Sequence, residues 1–384
     1  MRVLFITHYA DLYGANLSLL GLILSLRKNF GVEPVVLINR KGDFIKELQK
    51  NNIPYIKSFY FIDQIEENQP HKIIHIIYRK MCIPFLYFIA GWKLKAKRCS
   101  FDLVHTNSSV ISIGAYIAKI NHIPHVWHLR EFGKEDYNLQ NMYSTCTIRK
   151  RLSQSDRVIA ISKAIYEKFV SEYGKLPIEV IPNGVPICER YVKCEINKCV
   201  SFVVVGLICD GKNQLEVLKA INIIKAKGYG TFKVFFFGDY KDEGYKREFF
   251  KYIEDNRLKE IVHIMGYEAE VQEKLKQYHV GIVPSKKEAF GRVTIEFMSH
   301  YMPVIGSNSG ANQEIIKEDE TGLLYELGDV EGLANKMIYC INNRQEVQCM
   351  GRQARLEAEQ YSVEENARKI KSIYDSIMET RRKG

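Results

Sequence analysis

The stretch 282–314, IVPSKKEAFGRVTIEFMSHYMPVIGSNSGANQE, concentrates residue types that can do chemistry. Glu288 and Glu296 lie on either side of Gly291, and both carboxylates can accept hydrogen bonds from ligand hydroxyls. Gly291 lets the backbone approach a ligand closely, and a helix opening there would offer unpaired N–H groups to an anion. Two carboxylates beside an anion cradle suit a polyhydroxylated, phosphorylated molecule, and a nucleotide sugar has that chemistry. Spacing alone would not carry this reading, because glutamate is common on solvated helix faces.

The elements around these residues strengthen it. An apolar strand, Gly281 to Val283, runs into Pro284 and Ser285, and a helical pattern carries Glu296. A second strand, Pro303 to Ile305, ends in the small polar run Gly306-Ser-Asn-Ser-Gly310-Ala-Asn. The whole reads as a βαβ unit whose first loop and helix N-terminus face a ligand. P-S-x-x-E-x-F-G-x-x-x-x-E, then a strand and a Gly/Ser-rich turn ending in Glu314, resembles the donor-site signature of retaining family-4 glycosyltransferases of the GT-B fold.

Bulk properties describe an ordinary soluble globular protein. The 384 residues suit two domains, and 46% hydrophobic with 26% charged residues is ordinary globular composition. The chain opens directly on a strand, Val3-Leu4-Phe5-Ile6, so no signal peptide is expected. Nine cysteines, an odd number with no C-x-x-C, point to neither a disulfide framework nor a zinc site. The expected location is cytoplasmic, with peripheral attachment to the inner face of the cell membrane as an extension of that reading.

That extension comes from the placement of a net charge of +10. Between Lys72 and Arg98 stand seven Lys/Arg and no acidic residue, around the apolar run Met81–Trp92. The run reads as too short to cross a bilayer and as interrupted by Pro84. Segment 72–98 suits an anionic membrane surface, and equally a buried helix with a solvated basic end. No nucleic-acid-binding motif accompanies the charge, so no nucleic-acid partner is expected.

Along the chain, strands at Val3–Thr7, Val35–Asn39, Leu103–Asn107, His125–His128 and Arg157–Ile161 alternate with helices at Leu17–Lys28, Phe44–Asn51, Val110–Ile120 and Lys163–Glu172. Ser162 is positioned to cap the last of these. The breaker-dense turn Ile181-Pro-Asn-Gly-Val185 marks a domain boundary, with 186–198 as linker. A second set follows, with strands at Val200–Val205, Lys233–Phe237 and Ile261–Met265, then the opening stretch and Thr321–Tyr325. The fold class is α/β, with mostly parallel sheets and ligands at the carboxyl ends of the strands. The resemblance implies two Rossmann-like domains facing across a cleft, 1–185 on the acceptor side and 186–361 on the donor side. The last helix, within 362–384, would cross back to the first domain.

The resemblance also assigns residues. Glu296 would hold the ribose hydroxyls and Glu288 a hydroxyl of the transferred sugar, while Phe290, Gly291 and Arg292 supply backbone N–H groups. Gly266 and Tyr267 end a strand where the family packs the base against main chain. In the loop from Gly206 to Lys212, Lys212 matches a phosphate-binding lysine, but the arginine five residues earlier is replaced by Leu207. Arg292 stands where the family usually has an apolar residue. Its guanidinium could replace that charge on the diphosphate, or face solvent, or pair with a carboxylate such as Glu288. Gly14 and Ala15 look like the family's turn near donor phosphates or acceptor, and a plain tight turn fits them nearly as well. His128 occupies the position of a histidine beside the donor sugar, with Arg130 and Glu131 following and His105 as its competitor; Asn183 and Gly184 read as structural.

The activity implied is transfer of a sugar, with retention, from a nucleotide diphosphate donor to a glycan or lipid-linked glycan acceptor in surface polysaccharide assembly. No D-x-D loop is present, so neither an essential metal nor another cofactor is expected. A nucleotide-sugar epimerase of the same fold and a binding-only relative remain as alternatives, the second because of Leu207. A nicotinamide enzyme is disfavoured, since no G-x-G-x-x-G follows the first strand.

Overall fold

Val3–Ile6 and Phe202–Val204 are runs of consecutive apolar residues with almost no exposed surface. Because side chains alternate between the faces of a strand, such runs belong at the centre of sheets covered on both sides. A computed structural model of the chain describes residues 1–383 apart from 97–99, 135–137, 192, 194, 195, 197, 198 and 241. It places the two runs at the middle of two separate parallel sheets. The chain divides into one unit of Met1–Gly184 with Val363–Gly384 and a second of Val185–Ser362.

The first unit contains β1 (Arg2–Thr7), α1 (Gly14–Phe30), β2 (Glu33–Ile38), α2 (Asp43–Lys50), β3 (Tyr55–Lys57), β4 (Gln64–Glu66), α3 (Lys72–Ala96) and β5 (Leu103–Thr106). It continues with α4 (Ile113–Asn121), β6 (His125–Leu129), β7 (Leu139–Asn141), α5 (Thr145–Ser153), β8 (Arg157–Ala160), α6 (Lys163–Tyr173) and β9 (Ile178–Val180). Among the described residues, parallel strands are ordered β3-β2-β1-β5-β6-β8-β9, and β4 pairs separately with β7. The order reverses direction between β1 and β5, which is where an open α/β sheet leaves a crevice at its carboxyl edge. Helix ends follow their local chemistry: Ser162 Oγ accepts the Ile165 N–H at 3.1 Å, and Gly31 at φ 62° closes α1.

The second unit contains β10 (Val200–Val205), α7 (Gln214–Ala226), β11 (Phe232–Phe237), α8 (Glu243–Asp255), β12 (Val262–Gly266), α9 (Val271–Leu275) and β13 (Val280–Val283). Then come α10 (Arg292–Ser299), β14 (Val304–Ser307), α11 (Asn312–Ile315), β15 (Gly322–Tyr325), α12 (Val330–Asn342) and α13 (Arg344–Ala358). Its sheet is ordered β12-β11-β10-β13-β14-β15, with the reversal between β10 and β13. The final helix α14 (Val363–Lys383) returns to the first unit. Ala367, Ile370, Ile373, Tyr374 and Ile377 recur every three or four residues and are buried in the same core as Leu19, Leu22, Ile23 and Leu26 of α1. Burying an aliphatic side chain of this size contributes roughly 1.5–3 kcal/mol.

Segment 72–96 departs from expectation. It is one helix of 25 residues with Pro84 inside it, long and apolar enough to cross a membrane by length and composition. Counting only Met81–Trp92 missed Ile73, Ile74, Ile76, Ile77 and Tyr78, which belong to the same helix. Pro84 is exposed and removes one N–H without ending the helix. Lys97 and Arg98, counted with the basic segment, lie outside the described residues. Other differences are small: β4, β7, β9 and α5 had no sequence expectation, and α4 starts at Ile113 instead of Val110.

Candidate functional site

In the second unit, the loops leaving β10 and β13 flank the point where strand order reverses, and they are laced together. The Lys286 N–H donates to Gly211 O at 3.0 Å, and Lys286 Nζ meets Asp210 Oδ1 at 2.6 Å. Lys212, in the single helical turn Asp210–Lys212, meets Glu288 Oε2 at 2.8 Å. Two residues far apart in sequence thus form one ion pair at the carboxyl edge of the sheet. Burial pushes the Glu288 carboxyl up, but Lys212, Ser285 and the Gly291 N–H together hold it below its ordinary value.

Gly291 opens α10 at φ 83°, with no side-chain cap, and its N–H donates to Glu288 Oε1 at 3.3 Å. A Cβ at Gly291 would be strained and would meet Ile315 Cδ1 at 2.7 Å. Phe290 is buried. Glu296, one turn into the helix, is nearly buried and accepts from Arg292 Nε at 2.8 Å. Burial raises its carboxyl, with Arg292 and Gln272 working against that shift. Arg292 pairs with Glu296, its i+4 neighbour. Leu207 is exposed at 42%, so the position of the missing arginine faces outward.

Gly206, just after β10, and Gly266, which ends β12, sit on either side of Gly238; the Gly206 N–H donates to Phe237 O and the Gly238 N–H to Gly266 O, both at 2.9 Å. Tyr267 follows on the surface. A contribution not anticipated from sequence comes from the small polar run after β14. A Cβ on Gly310 would fall 2.2 Å from Glu288 O, and the Ala311 N–H donates to that same oxygen at 2.8 Å. Asn312, fully buried, accepts from Thr294 Oγ1 at 3.1 Å and ties α10 to the start of α11. The signal was the density of small residues there, and what it encodes is close packing against the Glu288 loop. Lys286, a second cation beside Lys212, was likewise not singled out.

The first unit gathers a different cluster at the carboxyl ends of β1, β5 and β6. His128 is fully buried. Its Nδ1 lies 3.2 Å from His105 Nε2 and 3.4 Å from an Arg130 nitrogen, and His105 Nδ1 lies 2.6 Å from Tyr374 Oη of α14. Burial first, then Arg130, lowers both histidines well below their usual range, so both are neutral. Burial raises the Tyr374 hydroxyl well above its usual range, so it keeps its proton. Arg130 can only donate, so His128 Nδ1 must accept. His105 then donates through Nε2 and accepts from Tyr374 at Nδ1. The network assigns the His128 proton to Nε2, an atom with no hydrogen-bond partner among the described residues.

His8 Nδ1, Asn107 Oδ1 and Glu131 Oε1 are buried nearby in the same condition, with His8 Nδ1 and Glu131 Oε1 3.7 Å apart. Buried polar atoms are rarely left unpaired, so their concentration at one carboxyl edge makes it a candidate ligand-facing surface. Asn183, expected to shape a hinge, is buried and accepts from Arg130. Gly14 begins α1 with open space around it. The loop before it is held by Asn16, which accepts from Thr7 Oγ1 at 2.6 Å and donates to Asp11 O at 2.8 Å. Gly14, Ala15, His105, His128, Arg130 and Glu131 thus belong to the first unit, while the expected site residues from Gly206 to Glu296 belong to the second. Among the described residues, no group of three or more His, Cys, Asp or Glu is placed to hold a metal ion.

Comparison with known proteins bears on both units. Residues 14–188 match the model of Glycosyltransferase Family 4, and residues 197–357 that of Glycosyl transferases group 1. The chain is 28% identical over 276 residues to UDP-Gal:alpha-D-GlcNAc-diphosphoundecaprenol alpha-1,3-galactosyltransferase of Escherichia coli, covering 65% of this chain and 68% of that one. It is 22% identical over 316 residues to the capsular polysaccharide biosynthesis glycosyltransferase CapH of Staphylococcus aureus, covering 79% and 80%. Its structure superposes on that of HepE from Anabaena in complex with UDP with a TM-score of 0.78 at 21% identity, covering 98% of this chain and 100% of that one. HepE is also known in complex with UDP-glucose.

Proposed function

The chain belongs to the group 1, family 4 glycosyltransferases and has their GT-B fold, and on that premise we propose that it transfers a sugar from a nucleotide diphosphate donor with retention of configuration. The observation that carries this is the Lys212–Glu288 ion pair beside the uncapped N-terminus of α10, at the strand-order reversal of the second sheet. A diphosphate suits Lys212, Lys286 and the helix N–H groups, which stabilise the charge that develops as the leaving group departs. Glu288 accepts from a sugar hydroxyl and Glu296 from the ribose. The backbone of Gly14, Gly206, Gly266, Tyr267, Phe290 and Gly291 approaches the donor. His128 presents its Nε2–H to a sugar oxygen, so it acts as a donor of a hydrogen bond and not as a base.

The acceptor in this reading is a glycan carried on a lipid diphosphate, in surface polysaccharide assembly at the inner face of the cell membrane. The support is that the Escherichia coli relative is named for a diphosphoundecaprenol acceptor and the Staphylococcus aureus relative for capsule synthesis, while HepE is seen with UDP and UDP-glucose. The chemistry needs no metal in this reading, because cationic side chains and a helix terminus offset the diphosphate. The test is incubation with a panel of nucleotide sugars, with and without EDTA, following the released sugar's anomeric proton by NMR. Release of one donor's sugar in its original configuration, unaffected by EDTA, is expected. An inverted anomer would overturn retention, and loss with EDTA would overturn metal independence. Binding without release, or an isomerised sugar, would return the binding-only or epimerase alternative.

A further inference from the structure

Helix α3 carries a surface that the donor chemistry does not use. Ile73, Ile77, Met81, Phe85, Phe88 and Trp92 are each between 54% and 76% exposed. At about 100° per residue they fall within an arc of roughly 120° on one side of the helix. Ile83, Tyr87, Ala90 and Leu94 occupy the opposite side and are buried in the core of the first unit. The exposed stripe continues off the helix, because Tyr78 packs edge-on against Phe61 and Phe61 against Phe59, which is itself exposed. An apolar surface of this extent on one element needs a partner.

The charges say which partner. From Lys72 to Ala96 there is no acidic residue, while Lys72, Arg79, Lys80, Lys93 and Lys95 are spread along the helix. Arg40 lies over the Phe59 ring at 5.7 Å and Arg79 over Phe61 at 5.3 Å, so cations border the aromatic extension too. A basic rim around aliphatic and aromatic side chains, with a tryptophan near one end, matches the chemistry of an anionic bilayer surface. A second copy of this chain would bring basic rims together.

The buried side decides how the helix meets the bilayer. A spanning helix would have to withdraw Ile83, Tyr87, Ala90 and Leu94 from the core. It would also break the hydrogen bonds from Arg79 to Gln64 O at 3.0 Å and from Lys93 to Lys57 O at 3.1 Å. We propose that α3 lies in the plane of an anionic membrane, inserting its Ile73–Trp92 face among the acyl chains while its opposite face stays in the protein core. This rests on the lipid-linked acceptor reading only for its purpose. Insertion itself requires neither donor nor acceptor, so it can fail or succeed independently of the enzyme assignment.

The chain supplies its own reporter. Of its two tryptophans, Trp127 is buried and Trp92 is 62% exposed. Mixing the full chain with vesicles of phosphatidylglycerol and phosphatidylcholine, without substrates, should shift tryptophan emission to shorter wavelength. Lipids brominated near the headgroup end of the acyl chain should quench it. Because the stripe is apolar, added salt should weaken binding without abolishing it. Replacing Phe85 and Phe88 together by Ser, both already exposed, should lower vesicle partitioning roughly 100-fold with the circular dichroism unchanged. Binding that salt abolishes and bromine does not quench would mean surface electrostatics alone and would overturn insertion. A chain that only detergent releases from bilayers would show that α3 spans. Dimers in sedimentation velocity with no vesicle binding would assign the face to a second copy.

Discussion

Replacing Lys212 by Met would test the electrostatic core of the second unit, because it removes the cation and keeps the length of the side chain. In the wild type, burial pushes the Glu288 carboxyl up and Lys212 is the chief opposing influence, so the net shift is downward. The pair is short, at 2.8 Å, but the lysine side chain is 39% exposed while the glutamate side chain is 14% exposed. A hydrogen bond to a charged group contributes about 1.5–3 kcal/mol, and solvent at the lysine end argues for the lower figure. Without Lys212 the burial effect should win and carry the carboxyl above its ordinary value.

The sign of the pH dependence follows. A carboxyl whose folded pKa is depressed adds stability above its unfolded pKa and loses it as pH falls through the folded value. In Lys212→Met the raised carboxyl instead costs stability at neutral pH, and that cost fades as the group protonates. Urea unfolding followed by circular dichroism should therefore show a gap of about 1.5 kcal/mol at about pH 7.5, shrinking towards zero below about pH 4. Donor turnover at neutral pH should fall at least ~100-fold, as for loss of a group that stabilises a leaving anion. A stability gap of equal size at both pH values would refute the reasoning, because the pair would then contribute through packing and not through charge.

Two further variants probe other parts of the account. Arg292→Leu leaves the nearly buried Glu296 without its charged partner at 2.8 Å, so donor KM should rise about tenfold with kcat little changed, and Leu207→Arg should not restore it; rescue by Leu207→Arg would show that the Arg292 guanidinium serves the diphosphate. Tyr374→Phe removes the proton donated to His105 Nδ1 across 2.6 Å. The 15N spectrum should then show His128 losing its pure Nε2–H form and kcat should drop by about tenfold, whereas an unchanged tautomer would break the proposed chain of hydrogen bonds.

Much of the fold could be read from sequence because its strands are dense in Val, Ile and Phe and its turns in Gly and Asn. Val3–Ile6 and Val200–Val205 could belong only to covered sheets, and Ser162 declared the start of α6. The carboxylates Glu288 and Glu296 were legible from their spacing around Gly291, and Lys212 from its loop. Their partners were not. Nothing local to Glu288 says that Lys212 reaches it from another strand, or that Gly310 presses on its carbonyl. The Tyr374–His105–His128 chain joins a terminal helix to two strands, so no motif could contain it. Helix α3 was misjudged for a different reason: a proline conventionally ends an apolar run, and only tertiary packing of Ile83, Tyr87, Ala90 and Leu94 shows that this helix continues through it.

The central claim is that Glu288 acts on the donor sugar, and the most direct measurement is sugar release by Glu288→Gln at saturating nucleotide sugar. Glutamine keeps the shape, and the loop stays anchored through Ala311 N–H to Glu288 O at 2.8 Å, a backbone contact that the substitution leaves in place. The account predicts that the variant folds, binds the nucleoside diphosphate, and releases no sugar above background. Release at the wild-type rate would contradict it.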